Sequence, residues 1–404
     1  MELPVSLAKN VEFLRSLPKM NGFNGFGAYG LAAEPTRQSP LIEVTGFGSN
    51  PGALKMFSFV ADTLQKKPGL IVVLHGCGQT AAGYDLGAGW STLAKRYGFA
   101  LLMPEQRSSN NANTCFNWFN PEDITREKGE AGSIRQMIAR MVRDHKIDTR
   151  RIYVTGLSAG GAMTSVMLAT YPEVFAGGAV IAGLPFGVAT NVREALGAMM
   201  QSPSRPAGEL GDLVRKASKH QGPWPKLSVW HGSADRTVNS ANADAIVKQW
   251  LDVHHLPQAA MSEGIVDGYP HKVWWNADGE TTVESYTITN MAHGTPLGVA
   301  GDDKRYGMEG AFLIEAGISS SYHIANFFGL TERARQPKAA AESPSAKLIP
   351  SVSPISAAGP DIPKVLRPKA APVRDAVPSR HKPDRTIDVG AVIARALTAA
   401  GLMK

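Results

Sequence analysis

Cysteine is nearly missing from this chain: two residues in 404, Cys77 and Cys115. Two cysteines exclude a disulfide-rich framework and leave room for a single bridge. Long apolar runs are missing as well. No stretch reaches the roughly 18 residues that a membrane-spanning helix needs, so no transmembrane segment is expected. The first twenty residues, MELPVSLAKNVEFLRSLPKM, lack the profile of a secretory leader. Glu2 stands where a basic segment belongs, and Lys9, Glu12 and Arg15 interrupt any apolar centre. They read as a short amphipathic helix. There is no internal repeat. What remains, 43% hydrophobic and 19% charged residues, fits a soluble globular protein.

An excess of one charge sign is missing from most of the chain. The formal net charge is +7, yet from Thr331 to Lys404 thirteen Lys and Arg stand against six Asp and Glu, which accounts for all of it. The preceding 330 residues hold 29 of each sign. The body is electrostatically ordinary, and no nucleic-acid partner is expected. The basic tail can contact an anionic surface; a solvated, self-repelling linker is the plainer reading of the same composition.

A chain of this length divides into segments. Residues 1–45 read as an N-terminal extension and 46–333 as the main domain. Residues 334–385 are rich in Pro, Ala, Ser and Lys; frequent proline denies them helix and sheet hydrogen bonds, and a disordered linker is expected. In 386–404, Val389, Val392, Ile393, Ala396, Leu397 and Ala400 recur at helical spacing and predict an amphipathic helix.

Within the main domain, strand and helix patterns alternate. GLIVVLHG, FALLMPEQ, RRIYVTGLS, GGAVIAG and KLSVWHGSAD read as buried strands, and VESYTITNM as a further strand. The stretches YDLGAGWSTLAKRYG, EAGSIRQMIARMVRDH and GGAMTSVMLATYP read as helices between them. Such alternation predicts an α/β fold: a mostly parallel central sheet with helices on both faces.

The richest segment for chemistry is VTGLSAGGAM. Gly156-Leu157-Ser158-Ala159-Gly160 fits G-x-S-x-G, between a predicted strand and a predicted helix. Glycines two residues to either side let strand and helix backbones pack closely, so the serine is presented on a sharp turn. Ser158 is therefore the candidate nucleophile. A nucleophilic serine of this kind needs an acid and then a histidine, each past the end of a later strand. Asp235 follows KLSVWHG, and His293 follows VESYTITN. Other candidates fit less well. His231 precedes Asp235 on the same strand end and reads as a packing or loop-bracing residue. His254 and His255 follow a helix that carries Asp244 and Asp252. His271 precedes the last strands, and Asp267 and Asp278 sit in hairpin-like loops.

VVLHGCGQ, CFNWF, GLSAGGAMT, AGLPFGVA, HGSAD and MAHGTP, in this order, resemble the poly(3-hydroxybutyrate) depolymerase family of esterases, related to feruloyl and acetylxylan esterases. The resemblance spans roughly Gly46 to Leu330. It implies an α/β-hydrolase fold, the roles given to Ser158, Asp235 and His293, and an oxyanion hole made by the backbone N–H groups of Cys77 and Ala159. It also implies a bridge between Cys77 and Cys115, with two free buried thiols as the other reading. Phe116, Trp118 and Phe119, beside that bridge, are candidates for contact with substrate, or packing of the loop.

The function implied is hydrolysis of short hydroxyalkanoate polyesters or oligomers through an acyl-enzyme, with no metal and no cofactor. Feruloyl or acetylxylan-type esters are the alternative substrates, and a non-catalytic α/β-hydrolase-like binding protein is the alternative class. Secreted polymer depolymerases of the family usually carry a leader and a polymer-adsorbing C-terminal module. The tail here fits neither, which favours soluble oligomeric or small esters. The resemblance and the implied bridge suggest an extracellular protein; without a leader, a cytoplasmic one stays open.

Overall fold

The computed structural model describes residues 38–331, apart from positions 63, 65, 203, 302 and 303. The expected linker 334–385, the expected helix 386–404 and most of the extension 1–45 lie outside the described residues.

Ten of the described strands are β1 (Ile42–Val44), β2 (Lys55–Phe59), β3 (Leu70–Leu74), β4 (Ala100–Glu105), β5 (Ile152–Leu157), β6 (Gly177–Ile181), β7 (Lys226–Gly232), β8 (Ser262–Val266), β9 (Tyr269–Trp275) and β10 (Thr281–Ile288). They form one ten-stranded sheet in the order β1-β2-β4-β3-β5-β6-β7-β10-β9-β8. The centre, from β4 through β3, β5, β6 and β7 to β10, is parallel throughout. The margins are antiparallel: β1 and β2 on one side, β9 and β8 on the other. β1, which lies within the expected extension 1–45, pairs with β2 in this sheet.

Strands β3 to β6 are apolar at nearly every position because both faces are covered. Along β3, Leu70, Val72 and Leu74 join a core that includes Ile134, Met163 and Trp250 from the helices on one face. Ile71 and Val73 join a core on the other face with Trp90, Tyr153 and Phe328. Trp230 on β7 and its neighbour Tyr286 on β10 stack with ring centres 3.7 Å apart.

One predicted helix is divided. YDLGAGWSTLAKRYG lies in two helices, Ala81–Ala88 and Trp90–Tyr97, separated by Gly89 at φ +76°. A Cβ on Gly89 would stand 2.4 Å from the backbone nitrogen of Gly307. A left-handed residue with a chain packed against it ends the first helix, and only glycine suits both demands.

The second close approach matters more. A Cβ on Gly160 would lie 2.3 Å from the carbonyl oxygen of Leu74 and 2.5 Å from that of His75. The helix Ala159–Thr170 thus starts hard against the end of β3. Gly160→Ala must push the two apart. It should lower the unfolding free energy by about 2 kcal/mol, read as a fall in the midpoint of urea denaturation; an unchanged midpoint would contradict the packing described.

Candidate active site

Parallel strands β5, β7 and β10 end at the same edge of the sheet. At that edge β5 turns sharply into the helix Ala159–Thr170. Ser158 occupies the turn with φ 57° and ψ −117°, a conformation that L residues adopt only where the surroundings hold it. Its amide donates to Ile181 O at the end of β6, 2.9 Å away, and its carbonyl accepts from Ala162 N. The residue is only partly buried.

Asp235 follows β7 by three residues. Four donors converge on its carboxylate. Oδ1 accepts from Thr237 N at 2.8 Å and Val238 N at 2.9 Å. Oδ2 lies 2.6 Å from His293 Nδ1 and 3.1 Å from His231 Nε2. Burial pushes the Asp235 carboxyl up, but the hydrogen bonds from His231 and His293 outweigh it and hold the group well below the usual carboxylate range.

His293 reaches Asp235 because its loop folds back over the end of β7. Ser233 N donates to Ile288 O, Ala234 N to Met291 O, and Asn290 N to Ser233 Oγ. A Cβ on Gly232 would stand 2.3 Å from Met291 O, so β7 can end only in a residue without one. Behind the imidazole, the Phe312 ring meets it edge-on at 5.8 Å.

Beside Ser158 lies the turn His75-Gly76-Cys77. His75 is fully buried. Its Nδ1 lies 2.8 Å from Gly76 O, and its Nε2 accepts from Gln106 N at 3.1 Å. Both ring nitrogens are therefore committed, and burial lowers the ring's affinity for a proton. This histidine braces the turn and does not activate Cys77. Cys77 is joined to Cys115 by a disulfide, S–S 2.08 Å, so its sulfur is no free thiol.

The loop that carries Cys115 rests on a buried polar network that sequence reasoning missed. Glu130 accepts from Gln106 Nε2 at 2.5 Å, from Asn117 N at 2.9 Å and from Asn117 Nδ2 at 2.8 Å. Gln106 Nε2 also donates to Cys115 O. Burial pushes the Glu130 carboxyl well above its ordinary value, with Asp123 nearby adding to the rise. The signal was weak: a lone glutamate in the first turn of an amphipathic helix reads as a solvated residue.

Phe116 is fully buried and packs at 4.9 Å from the His75 ring. It presents no surface to an ester, which corrects its candidacy as a substrate contact: the ring seats the loop on His75. Trp118 is largely buried too. It meets the half-buried Phe119 edge-on at 5.5 Å.

A parallel-centred sheet with a serine on a strained strand–helix turn defines an α/β-hydrolase. The chain belongs to the esterase family described as Esterase PHB depolymerase, whose model matches residues 56–264, and it is a serine carboxylic ester hydrolase. It is 46% identical over 301 residues to poly(3-hydroxyalkanoate) depolymerase C of Paucimonas lemoignei, covering 74% of this chain and 72% of that one. To an acetylxylan esterase of Coprinopsis cinerea it is 32% identical over 263 residues, 63% of this chain and 69% of that one. A solved acetyl xylan esterase from Aspergillus awamori shares the fold, with a TM-score of 0.61 at 24% identity, over 72% of this chain and 99% of that one. No described helix is long and apolar enough to cross a membrane.

The disulfide closes a loop of 38 residues in sequence, worth about 4 kcal/mol in a chain-entropy account. Cys77→Ser should lower the melting temperature and slow ester turnover without abolishing it. A variant that melts and turns over like the parent would contradict the role given to the bridge.

Proposed function

We propose that Ser158, His293 and Asp235 are the nucleophile, base and orienting acid of this hydrolase, acting on esters of short 3-hydroxyalkanoic acids. The observation that carries the reading is the 2.6 Å contact of His293 Nδ1 with Asp235 Oδ2, at the edge where Ser158 stands on its turn. Asp235 accepts a hydrogen bond from Nδ1–H, which keeps the proton on that nitrogen. The other nitrogen, Nε2, is then left as the acceptor for the serine hydroxyl.

In the first half-reaction Ser158 Oγ attacks the ester carbonyl while His293 Nε2 takes its proton. Negative charge gathers on the carbonyl oxygen. The backbone N–H groups of Cys77 and Ala159 are the donors we assign to it. Ala159 begins a helix, whose dipole favours an anion there. Cys77 is tethered through its sulfur to Cys115 and does not need to rearrange as charge develops. The proton then passes from His293 to the departing alcohol, leaving an acyl-enzyme. In the second half-reaction water attacks the acyl carbon, gives a proton to His293, and the acid leaves as Ser158 recovers that proton.

The choice of acyl group rests on the 46% identity to the Paucimonas lemoignei depolymerase, well above the 32% to the fungal acetylxylan esterase. We assign soluble oligomers of 3-hydroxybutyrate, rather than acetylated or feruloylated polysaccharide, as the preferred substrates. Phe119 and Trp118 stand beside the bridge as candidate walls for the acyl chain.

Ser158→Ala should cut turnover of p-nitrophenyl butyrate and of hydroxybutyrate oligomers by about ten-thousand-fold or more while leaving the thermal melt intact. Turnover close to the parent's in a folded variant would refute the assignment. Methyl ferulate, assayed beside the oligomers, should be the poorer substrate; the reverse order would move the protein to the polysaccharide esterases.

A further inference from the structure

His231 has a place that packing does not explain. It lies on β7, 3% exposed, four residues before Asp235. Its Nε2 is 3.1 Å from Asp235 Oδ2 and 3.0 Å from Val238 O. Both neighbours are acceptors, since one is a carboxylate held ionised and the other a backbone carbonyl. Nε2 must therefore carry the hydrogen. Nδ1, on the other side of the ring, is buried without a protein partner. A buried polar atom left unpaired is a cost. A hydrocarbon ring would pack the same space without that cost, so the residue's value lies at Nε2.

We propose that His231 is a positioning residue for ester hydrolysis: its Nε2–H, shared between Asp235 Oδ2 and Val238 O, fixes the carboxylate oxygen that His293 uses. This inference rests on reading Asp235 as the orienting acid of the site. The loop alone holds Oδ1, through Thr237 N and Val238 N. Oδ2 faces two histidines, His293 from the loop after β10 and His231 from the strand beneath. These two are the titratable groups that act on Asp235; Arg236, next in the chain, is exposed. By closing on Val238 O as well, His231 ties the start and the end of the Asp235 turn to β7. Without that donor, Oδ2 would turn its full charge on His293. The imidazole would then be less firmly aimed at Ser158.

The test compares His231→Phe and His231→Gln in the full chain, with p-nitrophenyl butyrate as substrate. Phe keeps a ring and removes the donor, whereas Gln offers an amide N–H near the same place. His231→Phe should lower kcat about tenfold with KM unchanged, well short of the roughly ten-thousand-fold cost of a lost triad carboxylate. His231→Gln should restore kcat. Equal impairment in the two variants, or a Phe variant with the parent's kcat, would overturn the proposal. If His231→Phe does not fold, the Gln variant decides: the parent's kcat supports the donor role, and a kcat lowered about tenfold with KM unchanged overturns it. Asp235→Asn separates the two levels. A fully active Asp235→Asn would remove the parent reading, whereas a crippled one beside a normal His231→Phe would remove this inference alone.

Discussion

The start of the helix Ala159–Thr170 is pressed against the end of β3 so closely that no side chain fits between them, and the site hangs on that contact. Gly160 supplies the missing Cβ on the helix, and Gly156 supplies it on β5, where an added Cβ would stand 2.4 Å from Gly160 O. With the two backbones this near, the single residue that turns from strand to helix cannot adopt an ordinary conformation. Ser158 is held at φ 57°. Its side chain is lifted to the sheet edge, and the first amide of the helix is brought beside the turn His75-Gly76-Cys77. A looser junction would relax the serine and separate it from the two assigned N–H donors.

The rest of the site is a set of braces on that junction. On one side the disulfide, the Glu130 network and the buried ring of Phe116 hold the Cys77 turn and the Cys115 loop together. On the other, the loop of His293 is laid over the bare end of β7, and four donors fix Asp235. The two polar braces, around Glu130 and around Asp235, are made of groups that water would otherwise solvate, and both carboxylates are well supplied with donors. Burial is costly for such groups unless their hydrogen bonds are complete. The arrangement is therefore fixed before any substrate arrives, as electrostatic stabilisation of a developing oxyanion requires.

Much of this was legible in the chain. The continuous apolar strands announce a sheet covered on both faces, and G-x-S-x-G between a strand and a helix announces the serine turn. Asp235 and His293 could be picked out as candidates because strand ends are where such a sheet presents its residues. The hairpin of β8 and β9 was not read as strand. Its residues are mostly exposed or only half-buried, and its inner face mixes Tyr269, His271 and Val273, so the apolar pattern on it is faint. The break at Gly89 was missed because its cause, the chain at Gly307, lies more than two hundred residues away. Glu130 and His231 were undervalued for a related reason: a single polar residue carries no periodicity, and its burial is decided by partners remote in sequence. Phe116 was left between substrate contact and loop packing because its neighbourhood suited both; which way an aromatic ring faces is settled by packing.

The central claim is that the strained serine is the atom that attacks the ester. Covalent labelling with a fluorophosphonate, followed by peptide mass mapping, tests it directly, because the reagent bonds to an activated serine and marks its position. The account predicts one label per chain, on Ser158, and almost none in a folded His293→Ala variant. A label on another serine, or a protein that hydrolyses esters while Ser158 remains unmodified, would contradict it.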